Sequence, residues 1–255
     1  MLSPVFLPHG SPYTIFEKSE FTAFLNRFGK ENRPKAIVIF SAHFESETTT
    51  ISATDDVHEM VYDYYGFPPE FYKVQYPARG STIVASIVEE RFRRRGIPVQ
   101  QKYRGLDHGV FPVLLHAYPE ADIPVVPISV NPFLPAKQQI AIGEALQGLE
   151  QEGILVIGSG MLTHNFNEFD RDRHAPPREW AVQFIDWIRE KALARDIDAL
   201  SRYESLAPYS AKAVPRPEHF VPLLIALGSG TPGREVLELY DSLEYGSLSS
   251  LSLQF

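Results

Sequence analysis

The 255-residue chain contains no cysteine. That absence excludes disulfides, thiolate–zinc sites, iron–sulfur clusters and cysteine nucleophiles. Any transition metal must be held by nitrogen and oxygen. No run of about 18 apolar residues is present, so no membrane span is expected. Basic residues are not in excess either. Against 32 Asp and Glu stand 24 Lys and Arg, for a net charge of −8, which argues against a nucleic-acid partner because phosphate binding needs a basic surface. Residues 1–12 carry no basic leader and no long apolar stretch, so no signal peptide is expected and the cytoplasm is the default location. Two chemical motifs are missing as well. Gly158-Ser159-Gly160 lacks both the third spaced glycine of a dinucleotide loop and the Gly-Lys-Ser/Thr of a phosphate loop. Neither Ser11 nor Ser41 sits in the Gly-x-Ser-x-Gly elbow of a serine hydrolase.

What is present points to an α/β protein. With 44% hydrophobic residues the chain can bury a sizeable core. Short β-branched runs at residues 5–7, 36–40, 123–130 and 154–157 read as strands buried on both faces. Between them lie amphipathic segments at residues 82–95, 136–151, 178–195 and 218–227. The first places Val84, Val88 and Phe92 on one face and ends in Arg93-Arg94-Arg95 before Gly96. Residues 247–255 alternate Leu with Ser and read as a late edge or return strand. Strand alternating with helix predicts a single domain over residues 1–255, with a central, mostly parallel sheet flanked by helices. No repeat, low-complexity tract or linker divides it.

Ligands of open α/β sheets bind outside the carboxyl ends of the strands. The first strand runs into Pro8-His9-Gly10-Ser11-Pro12, the second into Ser41-Ala42-His43-Phe44-Glu45, and residues 154–157 into Gly158-Ser159-Gly160-Met161-Leu162-Thr163-His164-Asn165. Three strands thus end in a turn that delivers a histidine, and in a parallel sheet those ends share one edge. His219 opens a helix after Pro215-Arg216-Pro217-Glu218, and His108 stands in Gly105-Leu106-Asp107-His108-Gly109 just before another. A lone histidine beside a turn is ordinarily a cap. Five of eight placed this way form a pattern that scatter does not explain, and neutral imidazole is the common ligand of zinc, iron, copper and nickel. The other three take bland readings: His116 is structural on a helical segment, His174 is a solvated loop residue, and His58, after Asp55-Asp56, is exposed surface.

In order along the chain stand Pro8-His9-Gly10-Ser11-Pro12, Ser41-Ala42-His43, Tyr62-Asp63-Tyr64-Tyr65-Gly66-Phe67-Pro68, Tyr76-Pro77-Ala78-Arg79-Gly80, Asp107-His108-Gly109, Thr163-His164-Asn165 and Pro217-Glu218-His219. Together they resemble the DOPA-dioxygenase group of class III extradiol ring-cleavage dioxygenases, from His9 to the Gly246-Ser247-Leu248-Ser249 tail. Arg79 departs from the proline usual in that group. It either alters the stiffness of its loop or adds a positive charge near a substrate carboxylate.

The resemblance implies an oxidoreductase that opens the ring of a catechol such as DOPA with O2, at a non-haem Fe(II) or Zn(II) centre. It implies His9 and His43 as metal ligands. For the third it points to His219, with Glu218 as its neighbour. Adjacent residues on a helix diverge by about 100°, so only one of the pair reaches the metal, and His219 is chosen. His164 is implied either as a further ligand or as the acid/base that takes a catechol proton. His108 is expected to hydrogen-bond the bound catechol or oxygen, with Asp107 orienting it. Tyr62 is expected in the substrate's aromatic wall, although tyrosines in such a run often only pack. Two other readings stand beside this one: a zinc-dependent hydrolase using metal-bound water, and a non-catalytic relative acting in protein interaction. The presence of every motif histidine counts against the latter.

Overall fold

The computed structural model describes residues 2–255; Met1, the first residue of the expected domain, lies outside the described residues. Its strands are β1 (Val5–Pro8), β2 (Ala36–Glu45), β3 (Thr49–Ile51), β4 (Val99–Gln101), β5 (Val125–Val130), β6 (Ile154–Gly160), β7 (Leu237–Tyr240), β8 (Leu243–Glu244), β9 (Leu248–Ser249) and β10 (Ser252–Gln254). Eight of them form one sheet in the order β4-β3-β5-β2-β6-β1-β10-β7, and β8 pairs with β9. The four apolar runs legible in the sequence are its parallel centre, β5, β2, β6 and β1. Nearly all their side chains are buried on both faces, as expected of a doubly covered parallel sheet.

The helices are α1 (Glu20–Glu31), α2 (Thr82–Arg94), α3 (Phe111–Ala117), α4 (Ala136–Glu144), α5 (Glu179–Leu193), the short α6 (Ile197–Ser201), α7 (Tyr203–Leu206) and α8 (Ser210–Ala213), and α9 (Val221–Ser229). Strand residues alternate between the two faces. Val5, Leu7, Ile37, Ile39, Leu155 and Ile157 pack with α1 and α3 on one side. Phe6, Val38, Phe40 and Val156 pack with α2, α4, α5 and α9 on the other. Burying each such side chain contributes about 1.5–3 kcal/mol. Local chemistry sets the helix starts: Ser19 and Thr22 form a capping box for α1, and Ser81 Oγ accepts from Val84 N at the start of α2.

Three elements differ from the sequence reading. The helix expected over residues 136–151 stops at Glu144, and Leu149–Glu152 forms a separate 3-10 turn. Gly148 and Gly153 flank that turn at φ +89° and +82°, a left-handed backbone through which no continuous helix can run. The alternating tail splits at residue 250. Its second part, β10, returns antiparallel against β1 and is itself covered by β7, so it is an interior strand rather than an edge. Finally, β2 runs five residues beyond the expected end. Its register with β5 jumps between Ser41 and Glu45, and His43 lies in that irregular stretch. Such bulges re-aim a side chain at a sheet rim.

Candidate metal centre

Five histidines meet at the carboxyl edge of the parallel strands. His9 follows β1, and its N–H bonds Gly160 O at the end of β6 (3.3 Å). His43 projects from the bulged end of β2. His219 ends the 3-10 turn Pro217–His219 that leads into α9, and its carbonyl accepts from Met161 N (2.8 Å), which ties the turn to the end of β6. His164 lies on the loop after β6, with its N–H on Ala213 O (3.0 Å). His108 occupies the turn that starts α3.

Three of these rings point one nitrogen at a common centre. His43 Nε2 lies 3.2 Å from His9 Nε2 and 3.2 Å from His219 Nε2, and the three side chains each offer a ligand atom within 4.8 Å of the others. The hydrogen bonds behind the rings decide what those nitrogens carry. Ser159 Oγ donates its hydrogen to Gly109 O, so toward His9 Nδ1 (3.1 Å) it can only accept. His219 Nδ1 faces Glu218 Oε1 at 2.9 Å, and His43 Nδ1 faces Asp63 Oδ2 at 3.2 Å. Each Nδ1 therefore bears the hydrogen, and each Nε2 turns a lone pair inward. Three lone pairs converging in a buried site repel one another unless a cation or proton lies between them. At metal–nitrogen distances of about 2.0–2.1 Å, neighbouring ligands sit about 3.0 Å apart on an octahedron and about 3.4 Å apart on a tetrahedron. The observed 3.2 Å spacing fits a divalent metal held by His9, His43 and His219. The two carboxylates and the hydroxyl behind the rings are the supports such ligands ordinarily have.

The electrostatics agree. Burial, then the neighbouring imidazoles, hold the pKa values of His9 and His219 well below the usual histidine range, so both rings stay neutral. His164 stacks on His219, with ring centroids 3.5 Å apart and 15° between planes, and its Nδ1 is 3.7 Å from Glu218 Oε1. Burial, followed by His43 and His108, lowers its pKa to about 4. His108 sits beside His43, with centroids 3.8 Å apart, and its Nδ1 bonds Asp63 Oδ1 at 2.7 Å. Burial opposes ionisation of Asp63, but hydrogen bonds from His108 and His43 outweigh it and hold the carboxyl far below its ordinary value. Burial pushes Glu218 up, against the pull of its backbone hydrogen bond and Arg216.

Some residues singled out from sequence fall elsewhere. Asp107 does not orient His108. It accepts from Ser41 Oγ (2.6 Å) and Gly109 N (3.0 Å), and it is fully buried, out of a substrate's reach. The orienting contact belongs to Asp63. Tyr62 donates its hydroxyl to Val74 O (2.6 Å) and packs edge-on to Tyr64, Tyr72 and Phe111, so it serves the core. His58 is buried rather than exposed and donates Nε2–H to Val125 O (2.8 Å). Arg79 is exposed, and its carbonyl accepts from Val125 N, at the amino end of β5 and so at the opposite edge of the sheet from the histidines. His116 is structural, bonded through Nε2 to Thr14 O, and His174 is exposed, both as expected. Three supporting residues were missed: Asp63, Ser159 and, as partner rather than rival of His219, Glu218. Asp63 stood inside a motif already noted, and a lone carboxylate in an aromatic run was the available signal.

Known proteins resemble the chain along its whole length. The family described as the catalytic LigB subunit of aromatic ring-opening dioxygenase matches residues 5–248. A Beta vulgaris protein named 4,5-DOPA dioxygenase extradiol is 34% identical, over 98% of this chain and 95% of its own. An Escherichia coli K12 protein of the same name is 31% identical, over 98% and 93%. The crystal structure of an uncharacterized Escherichia coli K12 protein superposes with a TM-score of 0.85 at 29% identity, covering all of both chains.

Proposed function

The chain belongs to the family of the catalytic LigB subunit of aromatic ring-opening dioxygenases, and from that premise we propose that it cleaves a catechol such as DOPA beside its diol with O2, at a non-haem Fe(II) held by His9, His43 and His219. The observation that carries the reading is the convergence of three Nε2 lone pairs with every Nδ1 hydrogen satisfied behind. Iron is chosen over zinc because the reaction moves electrons between ring and oxygen, and zinc is redox-inert. When bound, the ion acidifies the diol hydroxyls and supplies the electron path to O2.

The chain's own groups handle the protons. His164, neutral at pH 7, accepts a hydroxyl proton from the catechol. His108, anchored at Nδ1 by Asp63, keeps Nε2 for a hydrogen bond to substrate. Phe166 lies edge-on to His164 and is 74% exposed, an apolar wall for the ring. The balance needs no outside reductant: the C–C bond beside the diol breaks, and both oxygen atoms enter the muconic semialdehyde product.

The test is anaerobic loading with Fe(II), then oxygen uptake with DOPA, caffeate and protocatechuate. Stoichiometric uptake with a yellow product is expected from the iron form, and none from the zinc form. No uptake by iron-loaded protein across the panel would overturn the reading in favour of hydrolysis or a non-catalytic role.

A further inference from the structure

We propose that Asp63 is a positioning residue shared by the metal-holding and proton-handling halves of the site, one carboxylate fixing the ring orientation and tautomer of both His43 and His108. Its Oδ2 lies 3.2 Å from His43 Nδ1, and its Oδ1 lies 2.7 Å from His108 Nδ1 and 3.2 Å from His108 N. A carboxylate only accepts, so both imidazoles must present Nδ1–H and keep their Nε2 lone pairs for the site. The rings are pinned side by side, with centroids 3.8 Å apart and 44° between planes. Asp63 reaches them because Met60 bridges Leu106: Val61 N donates to Leu106 O (2.8 Å) and Leu106 N to Glu59 O (2.9 Å). Glu218 repeats the arrangement more loosely on the other flank, 2.9 Å from His219 Nδ1 and 3.7 Å from His164 Nδ1. Asp63 is the tighter of the two, because both of its imidazoles are within hydrogen-bond range.

The consequence is that ligand and proton group cannot be adjusted independently. In Asp63→Asn the single amide oxygen can accept from one ring only, and the other ring must lose its partner or turn over to Nε2–H. The first readout needs no variant: 15N shifts of the imidazoles in the metal-free wild-type protein, where His43 and His108 are both expected as Nδ1–H. The second is Zn(II) affinity by chelator competition, expected to fall about 10–100-fold in Asp63→Asn, with shifted His43 and His108 resonances and an unchanged His9, whose Nδ1 partner is Ser159. The third rests on the ring-opening reading: in the iron-loaded variant kcat falls further than metal occupancy explains, with KM little changed. A His43 or His108 that lacks Nδ1–H in wild type overturns the proposal, as does wild-type zinc affinity in Asp63→Asn. If the first two results hold and no catechol is opened, the functional reading fails while the role of Asp63 stands.

Discussion

Gly160→Ala should loosen the metal site through a backbone clash. Gly160 closes β6 directly beneath the turn that carries His219. A Cβ there would lie 2.1 Å from the His219 carbonyl oxygen and 3.1 Å from its carbon, with Pro222 Cγ also at 3.1 Å. The φ of Gly160 is not in the left-handed region, so the effect is one of contact alone. The opposing atom is backbone, held down by the Met161 N–H at 2.8 Å, and cannot swing aside as a flexible side chain would. Ordinary contact begins at 3.4 Å, so the turn must retreat by roughly 1 Å. Forcing a methyl into such a contact costs about 1–3 kcal/mol of stability. A shift of about 1 Å in a positioned group costs on the order of 100-fold in rate. His219 Nε2 now sits 3.2 Å from His43 Nε2, and the same retreat opens that edge of the metal site. Urea unfolding, zinc competition and turnover of the iron-loaded form measure the three quantities. The expected result is lower stability, at least tenfold weaker metal binding and about 100-fold slower turnover. A variant that matches wild type in both stability and metal affinity refutes the close-approach argument.

Acid should destabilise the metal-free protein earlier than carboxylates alone require. Burial lowers the pKa values of His9, His58, His164 and His219, in His164 to about 4, whereas the unfolded chain takes up these protons near pH 6.5. The unfolded state therefore binds more protons in that window, and the contribution is fully present above about 6.5 and is lost as pH falls toward 4, with a slope of up to about 1.4 kcal/mol per pH unit for each group. Urea midpoints at pH 7.5 and 5 check this; equal values would contradict it. Tyr62→Phe should lose the hydrogen bond to Val74 O, about 0.5–1.5 kcal/mol of stability, and leave the KM for catechol unchanged. A raised KM at unchanged stability would return Tyr62 to the substrate.

The sheet centre and three of the five histidine-bearing turns were legible because buried parallel strands read as uninterrupted β-branched runs and their carboxyl ends lie together. His108 and His219 were placed by their helix starts. What stayed hidden was decided by short contacts without periodicity. The Met60–Leu106 bridge that carries Asp63 to His108 is a single pair and leaves no mark in the sequence. Asp107, adjacent to His108 in the chain, was the natural guess for its partner, yet the turn at His108 sends the two side chains apart and Asp107 goes to Ser41. Glu218 looked like a competitor for the metal because neighbours diverge. That divergence lets it stand behind the His219 ring instead. Gly158-Ser159-Gly160, which fits no nucleotide motif, brings β6 against α9 and supplies the Ser159 hydroxyl to His9.

Metal content measured against turnover in five alanine variants separates the roles of the five histidines. After anaerobic loading, replacing His9, His43 or His219 is predicted to abolish stoichiometric iron binding. Replacing His108 or His164 is predicted to keep one iron per chain while slowing ring opening by about 100-fold or more. Full iron content in the His43→Ala variant, or loss of iron on replacing His164, would contradict the assignment.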